Sequence, residues 1–271
     1  LDRKRWTTIQ INTQREIDQV GLEIENLSLN SIFLAASRFG TLNKAYYAKY
    51  YRFITQREVF KGFNLTAGFT RKEFDPVFDF NYLDETTGTY QSRFDLAQVN
   101  LGIRYGKDEV NIINDNYRVS LGPVKWPVFD FRFTQGLSSL GGDINYQKYV
   151  LSVYQKLNLG LIGVSRYELR SGFVRGTVPY PLLENHIGNE TIFYTTVAFN
   201  LMNFNEFASD RFASLSYRHS FEGFGLNWIP LIKKLKWRAV ANANVLWGSV
   251  SDKNLTNSSD LDEEGNPIPA L

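Results

Sequence analysis

The sequence contains no cysteine and only two histidines, His186 and His219, among its 271 residues. Without cysteine the chain forms neither disulfides nor thiolate centres. Two histidines give little material for a histidine-rich metal site, so we expect no metal and no cofactor. The formal net charge is only +2, and the Lys and Arg residues are scattered rather than bunched. A nucleic-acid partner is therefore not expected.

Long hydrophobic runs are also missing from the chain. The longest are SIFLAA and LGLIGV, well short of the roughly 18 apolar residues that a membrane-spanning helix needs. This argues against a helical membrane protein but not against a barrel, because a barrel strand needs only every second residue to be apolar. The chain has no signal peptide, begins at LDRKRW and ends at NPIPAL. We therefore expect it to be an internal piece of a longer mature protein.

Two-residue alternation is the dominant pattern, and residues 237–247 give its clearest example. One parity is wholly apolar and has Trp237 and Trp247 at its ends, whereas the other carries Arg238 and two asparagines. Ten residues at a rise of ~3.3 Å span roughly 33 Å. A tilt of about 40° reduces this to roughly 25 Å, the height of the apolar band on an outer-membrane barrel. Tryptophan at both ends is typical of aromatic girdles at two membrane interfaces.

Similar alternation recurs along the chain, and turn-like stretches separate the segments: 60–73, 94–105, 127–136, 145–157, 160–174, 191–202 and 211–222. A soluble β-sandwich or a lipocalin-like form would also bury one face of alternating strands. The segments exceed the usual length of about five or six residues in globular sheets. Their second parity carries charges of both signs, which a polar lumen accommodates. We predict an all-β fold, a transmembrane antiparallel β-barrel of the outer-membrane type.

The charged residues at the second parity are predicted to face the barrel lumen. They are Arg104, Asp130, Arg132, Arg166, Glu168, Arg170, Arg218 and Glu222. They could define a conducting path, or they could pair across strands as structural ion pairs, and the second interpretation is favoured. The same charges would be costly if they faced lipid.

The stretch IPLIKKLKW, which precedes the alternation of 237–247, is open to two interpretations. It could be a short basic amphipathic helix, but a free membrane-binding helix needs more length. We predict a hairpin turn at the periplasmic boundary, with the polar segment 248–270 outside. Pro230 cannot donate to a strand ladder. The remaining residues of this boundary are Lys233, Lys234 and Lys236, which reach water or lipid phosphates, and the interface anchors Trp228, Trp237 and Trp247.

Catalytic and metal-binding interpretations are weak. His219 lies beside Ser220, with Asp210 nine residues upstream. Neighbours in a strand point to opposite faces, so these two cannot form a dyad within one strand. His186 lies near Glu184 and Glu190, and a hydrogen bond that orders the loop is favoured over metal ligation. No convergent nucleophile, base and orienting group is visible, so we expect no enzyme.

Four stretches resemble a known family. SLNSIFLAASRFGTLNKAYYAKYY, PVFDFRFTQGLSSLGGDINYQKY, ENHIGNETIF and YRHSFEGFGLNWIPLIKKLKWR occur in this order. Together they resemble Bacteroidetes outer-membrane proteins that join an N-terminal carboxypeptidase-regulatory-like domain to a C-terminal barrel. That barrel looks like the BamA/TamA-type, "surface antigen" superfamily of assembly factors.

The resemblance implies that residues 1–271 are part of an outer-membrane barrel domain of about 16 strands when complete. The N-terminal periplasmic domain and the last strands would then lie outside this sequence. It implies an integral outer-membrane protein that acts in protein insertion, secretion or a surface complex. Outer-membrane lipid or lipopolysaccharide, and other outer-membrane or periplasmic proteins, are the expected partners. A passive or plugged transport pore and an adhesin-like structural subunit are the alternatives.

Overall fold

The computed structural model describes residues 6–21, 44–84, 87–114, 117–189 and 198–255. Most of the predicted strand 191–202 lies outside these residues, as do residues 28–43 of the first family-like stretch and most of the polar segment 248–270.

The described part of the chain is almost entirely β-structure. Its strands are β1 (Thr8–Gln19), β2 (Ala45–Phe60), β3 (Phe63–Pro76), β4 (Tyr82–Asp84), β5 (Thr89–Gln91), β6 (Phe94–Gly106), β7 (Glu109–Asn114), β8 (Tyr117–Pro123), β9 (Val128–Gly136), β10 (Tyr146–Asn158), β11 (Val164–Arg175), β12 (Glu184–Asn185), β13 (Ala208–Ser209), β14 (Arg211–Ser220) and β15 (Val240–Ser249). Nine of them form one sheet in the order β1-β2-β3-β6-β9-β10-β11-β14-β15. Every neighbouring pair is antiparallel. The predicted all-β antiparallel fold class is confirmed.

The sheet has two different ends. At the turn end, β2 and β3 are joined through Gly62, and β10 and β11 through residues 159–163. Gly163 has a φ of 115°, and an added Cβ would lie 2.0 Å from the carbonyl oxygen of Ser220, so only glycine fits this turn. At the opposite end, which we call the plug end, residues 176–210 connect β11 to β14.

The predicted strand boundaries are correct to within one residue for 94–105, 127–136 and 145–157, and the other segments need correction. The segment 60–73 contains the end of β2 and a turn, and β3 is Phe63–Pro76. The segment 160–174 begins with a turn, and β11 starts at Val164. The segment 211–222 ends at Ser220, and the return strand starts at Val240 rather than at Trp237. The described residues of segment 191–202 form a turn and an isolated bridge between Gly188 and Phe199 instead of a strand.

The connection predicted as a simple hairpin turn contains a short helix, α1 (Pro230–Leu235). Pro230 occupies the first turn, where its missing N–H would have no helical partner in any case. Lys236 adopts a left-handed conformation, with φ 54°, and its N–H bonds the carbonyl of Lys233, which ends the helix. A second helix, α2 (Asp252–Leu255), follows β15. Of the helices in the described ranges, none is long and apolar enough to cross a membrane.

The hydrophobic core lies at the plug end, against one face of the sheet. Strand residues such as Tyr46, Phe74, Phe94 and Tyr146 contribute one side of it. The connection after β11 contributes the other side through Val178, Tyr180, Leu182, Leu183 and Ala208. The core therefore forms where a loop covers the sheet, and the rest of the sheet is left with both faces accessible.

Candidate functional site

One face of the nine-stranded sheet presents apolar side chains to the surroundings. The register aligns Val153, Leu169, Leu215 and Val245 across four neighbouring strands. The same face continues to β1, and its large apolar residues are between 37% and 78% exposed: Ile9, Ile11, Phe53, Leu65, Leu101, Ile103, Phe129, Phe131, Leu151, Leu169, Phe173, Tyr217, Val245 and Trp247. We call this surface the apolar face. An exposed apolar surface this continuous is rare on a soluble monomer.

Aromatic clusters lie toward both ends of the apolar face. At the turn end, the rings of Phe60 and Phe63 stack with centroids 4.7 Å apart. Toward the plug end, Tyr149 lies 5.0 Å from Phe133 and 4.6 Å from Phe173. Aromatic rings at both borders of an aliphatic band are typical of proteins that cross a lipid layer.

Ion pairs replace the apolar side chains where this face reaches the plug end of β2, β3 and β6. Lys49 Nζ lies 3.0 Å from Glu73 Oε1, and Arg71 Nη2 lies 3.6 Å from Asp95 Oδ2. The strand parity is unchanged across this border. The change in side-chain chemistry therefore marks an edge of the apolar band.

The residues predicted as interface anchors lie in three different places, and only Trp247 belongs to a strand of the sheet. Trp247 lies on it near the plug end of β15, and its exposed fraction is 61%. Trp237 precedes β15 at the turn end, and Trp228 ends a short 3₁₀ segment just before α1. The predicted turn residues Lys233, Lys234 and Lys236 belong to α1 and its C-terminal cap, and all three are exposed.

The opposite surface, the polar face, carries the charged residues that the sequence assigned to the lumen. The register places seven of the eight on it: Arg104, Asp130, Arg132, Arg166, Glu168, Arg170 and Arg218. The eighth, Glu222, lies beyond β14 in a turn with a φ of 54°. There its carboxylate accepts a hydrogen bond of 2.7 Å from Arg238.

Several charges on the polar face are paired. Asp130 lies 3.7 Å from Arg104 and 2.9 Å from Arg132. Arg104 also pairs with Glu109 at the start of the β7–β8 hairpin. These contacts agree with the ion-pair interpretation for this part of the sheet.

Residues 177–189 and 198–210, which we call the plug, pack on the polar face at the plug end. Glu184 in the plug is 2% exposed and accepts bonds from two strand residues. Lys148 Nζ lies 2.9 Å from its carboxylate, and Arg170 binds the other oxygen. Burial raises the pKa of Glu184, but the charges of Lys148 and Arg170 outweigh this and lower the pKa to about 2. A buried ion triad thus joins the plug to β10 and β11.

His186 lies close to this triad and is also buried. Its Nε2 is 3.0 Å from the Ser209 hydroxyl, and its ring meets that of Phe212 edge to face, with centroids 5.4 Å apart. Burial lowers the pKa of His186 to about 4, and the nearby Arg170 and Lys148 act in the same direction, against Glu184. The predicted loop-ordering hydrogen bond matches this geometry.

Residues that follow β15 hold both ends of the plug. The Asp210 carboxylate accepts hydrogen bonds from the Ser251 N–H at 3.0 Å, from the Ser251 hydroxyl and from the Asn254 amide at 2.8 Å. The Asn254 side-chain oxygen in turn accepts the Val178 N–H at 2.9 Å. Burial raises the pKa of Asp210, but the hydrogen bonds from Ser251 and Asn254 hold it below its usual value. We call Asp210, Ser251 and Asn254 the clasp.

His219 lies on the opposite side of the sheet, at the turn end of the apolar face. Its Nδ1 is 2.7 Å from the Ser165 hydroxyl of the neighbouring strand, and the Tyr217 hydroxyl lies 3.0 Å from Ser165. Its Nε2 donates to the carbonyl of Ile162 at 3.1 Å. A serine hydroxyl beside an oriented imidazole is the arrangement of an activated nucleophile, but Ser165 is only 2% exposed, so a substrate does not reach its hydroxyl in this conformation.

Sequence reasoning missed the residues that hold the plug: Lys148, Glu184, Asp210, Ser251 and Asn254. The stretch PYPLLEN carries Glu184 directly after consecutive apolar residues. A carboxylate in such a stretch signals a buried ion pair, because a buried charge needs a partner. The partners themselves lie far away in the sequence and had no local signal.

A family model fits the chain over residues 2–254, and its description is "Family of unknown function (DUF5686) C-terminal domain". The chain belongs to this family. The family covers the whole nine-stranded sheet, the plug and the first residues of α2. No curated protein matches the chain.

Among solved structures, the chain is similar to the crystal structure of BamA from Haemophilus ducreyi lacking POTRA domains 1–3. The TM-score is 0.43 and the sequence identity is 15%. The match covers 75% of this chain and 43% of that one, so the chain spans less than half of that structure's length.

Proposed function

We propose that this chain forms wall strands of an integral outer-membrane β-barrel, with the apolar face toward lipid and the polar face toward the lumen. The observation that carries this proposal is the exposed apolar face, which continues across all nine strands of the sheet. Burying such a face in lipid contributes about 25 cal/mol per Å² of apolar surface. The aromatic clusters at its borders and the long strands support the same placement.

Tryptophan fluorescence in lipids with brominated acyl chains tests this placement. Trp247 lies on the apolar face, whereas Trp126 lies beyond the sheet at the turn end, with Lys107 4.4 Å from its ring. In variants that keep a single tryptophan, the brominated chains should quench Trp247 strongly and Trp126 weakly. Equal quenching of the two would contradict the proposal.

The barrel interior is plugged at the plug end rather than open as a wide pore. The plug packs its apolar residues on the polar face, and the triad of Glu184, Lys148 and Arg170 joins it to the wall. The connection 176–210 is longer than those at the turn end, 107–127 and 221–239. Long connections of outer-membrane barrels lie outside, so we place the plug at the external side of the lumen. In planar bilayers the protein should give small, intermittent currents, and variants that loosen the plug should give larger ones.

The specific role proposed is that of a non-enzymatic assembly factor for other outer-membrane or surface proteins, in a Bacteroidetes-type protein with a separate N-terminal domain. The resemblance to the BamA/TamA-type superfamily supports it. Depletion of the protein should lower the surface level of specific outer-membrane proteins. If their levels stay unchanged, the assembly role is wrong while the barrel proposal stands.

A steady, large conductance of the intact protein would instead favour the passive pore. One observation favours this alternative. In the described part of the chain, the plug does not cover the charges of β10, β11 and β14 at the turn end of the polar face.

A further inference from the structure

Three cations lie side by side on the polar face near the turn end. The register pairs Lys156 of β10 with Arg166 of β11, and Arg166 with Arg218 of β14. Adjacent strands are about 4.8 Å apart, so the three Cα atoms span about 10 Å. Like charges placed directly opposite each other destabilise a sheet. We call these three residues the cation row.

Among the residues that the structure describes, the cation row has no acidic partner, unlike Arg104, Arg132 and Arg170 of the same face. Within the described ranges, no carboxylate oxygen lies within 4.0 Å of any of its three side chains. Arg104 and Arg132 share Asp130, and Arg170 pairs with Glu184. In the described part of the chain, no carboxylate therefore neutralises the repulsion within the row.

The surroundings of the row supply further hydrogen-bond donors and little negative charge. Asn242 of β15 lies next to Arg218 in the register, and Tyr154 lies one position further along β10 on the same face. The carboxylate closest along the sheet belongs to Glu168, two residues from Arg166, which is about 7 Å along a strand. Glu222 lies in the turn beyond β14, where Arg238 binds it.

We propose that the cation row is a binding site for a phosphate group. Long basic side chains from three strands can converge on one tetrahedral anion, whose oxygens accept bonds from several donors at once. A carboxylate has only two oxygens, so it satisfies fewer of these donors. The two guanidinium groups bind phosphate in bidentate geometry, which adds specificity to the charge attraction. The site lies toward the turn end of the polar face, away from the plug, with Gly122 of β8 beside Tyr154. It does not depend on whether the protein assembles other proteins.

Calorimetric titration of the whole protein in detergent tests the site, with pyrophosphate as the first probe. The double variant Arg166→Gln/Arg218→Gln removes two of the three cations and should weaken pyrophosphate binding by at least about tenfold, since each charged hydrogen bond contributes about 1.5–3 kcal/mol. Arg132→Gln is the matched control, because it removes an arginine from the same face that pairs with Asp130. It should leave pyrophosphate binding unchanged.

A second arm identifies the source of the phosphate. Short-chain phosphatidic acid, presented in the same detergent, should compete with pyrophosphate if a lipid headgroup reaches the row, and only the free anion should bind if it does not. In both cases binding must be weaker by at least about tenfold in the double variant. The proposal is wrong if neither probe binds, or if the double variant and Arg132→Gln bind pyrophosphate equally well. A melting curve of each variant confirms that lost binding does not reflect lost folding.

Discussion

Leu169 and Arg170 are neighbours in β11, but their side chains meet different surroundings. Leu169 joins an exposed row of aliphatic side chains across four strands, whereas Arg170 binds the buried carboxylate of Glu184. Among the described residues, the sheet thus has an apolar face that no segment covers and a charged face that a loop partly covers. Exposing the apolar face to water would cost free energy, and exposing the charged face to lipid would also cost free energy. The difference supports the proposal of a sheet that separates lipid from a polar interior.

The largest loss of stability is expected when the ion triad that holds the plug on the polar face is broken. Glu184→Gln leaves Lys148 and Arg170, which are 18% and 25% exposed, without their shared counter-charge. Breaking a buried ion pair by removing one partner costs about 3–5 kcal/mol. The plug should become sensitive to proteolysis, and the unfolding midpoint in denaturant should fall.

Glu73→Gln is the matched control for this substitution. Glu73 pairs with Lys49 on the other face, where both side chains are more than 40% exposed. Exposed pairs contribute little, so the midpoint should hardly move. Equal effects of the two substitutions would contradict the difference between the faces.

The next largest loss of stability is expected from an arginine on the apolar face, and the same substitution at the adjacent position compares the two faces directly. Leu151 lies on the apolar face and Ser152 on the polar face of β10. Leu151→Arg should destabilise the protein in lipid vesicles by about 2–4 kcal/mol if the residue lies near the middle of the bilayer. Ser152→Arg should have a smaller effect, because the new side chain lies on the polar face, between Asp130 of β9 and Arg170 of β11. Equilibrium unfolding in urea with vesicles present measures both.

A smaller effect is expected at the clasp. Asn254→Ala removes the amide that donates to Asp210 and the oxygen that accepts the Val178 N–H. Leaving buried partners unsatisfied costs about 1–3 kcal/mol. Hydrogen exchange of the Val178 amide should accelerate, while the amides of β10 and β11 should keep their protection. Asn227→Ala, at an exposed position before α1, is the control and should change neither rate.

The smallest effect is the pH dependence of the plug. His186 has a pKa near 4, below its ordinary 6.5, so the unfolded plug binds more protons between these values. The contribution of neutral His186 to the stability of the plug is fully present above pH 6.5 and is lost as the pH falls through 4. Glu184, with a pKa of about 2 against 4.5, adds a similar loss below pH 4.5. Protease cleavage of the plug should therefore increase from pH 7 to pH 5, and His186→Phe should remove that increase. An unchanged slope in His186→Phe would exclude His186 as its source.

The alternation of apolar and polar residues predicted most strands of the nine-stranded sheet, because this alternation is a local property of each strand. Residues 94–105 and 127–136 show apolar and polar parities directly, and register then aligns these parities across strands. The strands β1 and β2 were missed. In β2, AYYAKYYRF places aromatic residues at both parities, since one parity meets the apolar core and the other the exposed surface.

The plug could not be predicted because long-range contacts determine its structure. Val178, Tyr180 and Leu182 become buried only when the connection folds back on β2, β3 and β6. The segment 191–202 shows alternation, but its described residues form turns. In the same way, α1 follows from capping at Pro230 and Lys236, which an alternation test does not detect.

The absence of cysteine from the chain allows the central claim to be tested with single labels. Leu169→Cys and Glu168→Cys place one thiol on each face at adjacent, exposed positions of β11. Each is labelled with an environment-sensitive fluorophore, and the protein is reconstituted in lipid vesicles. We expect blue-shifted emission that lipid-soluble quenchers reduce at position 169, and red-shifted emission that only water-soluble quenchers reduce at position 168. The same emission and quenching at both positions would contradict the assignment of the apolar face to lipid.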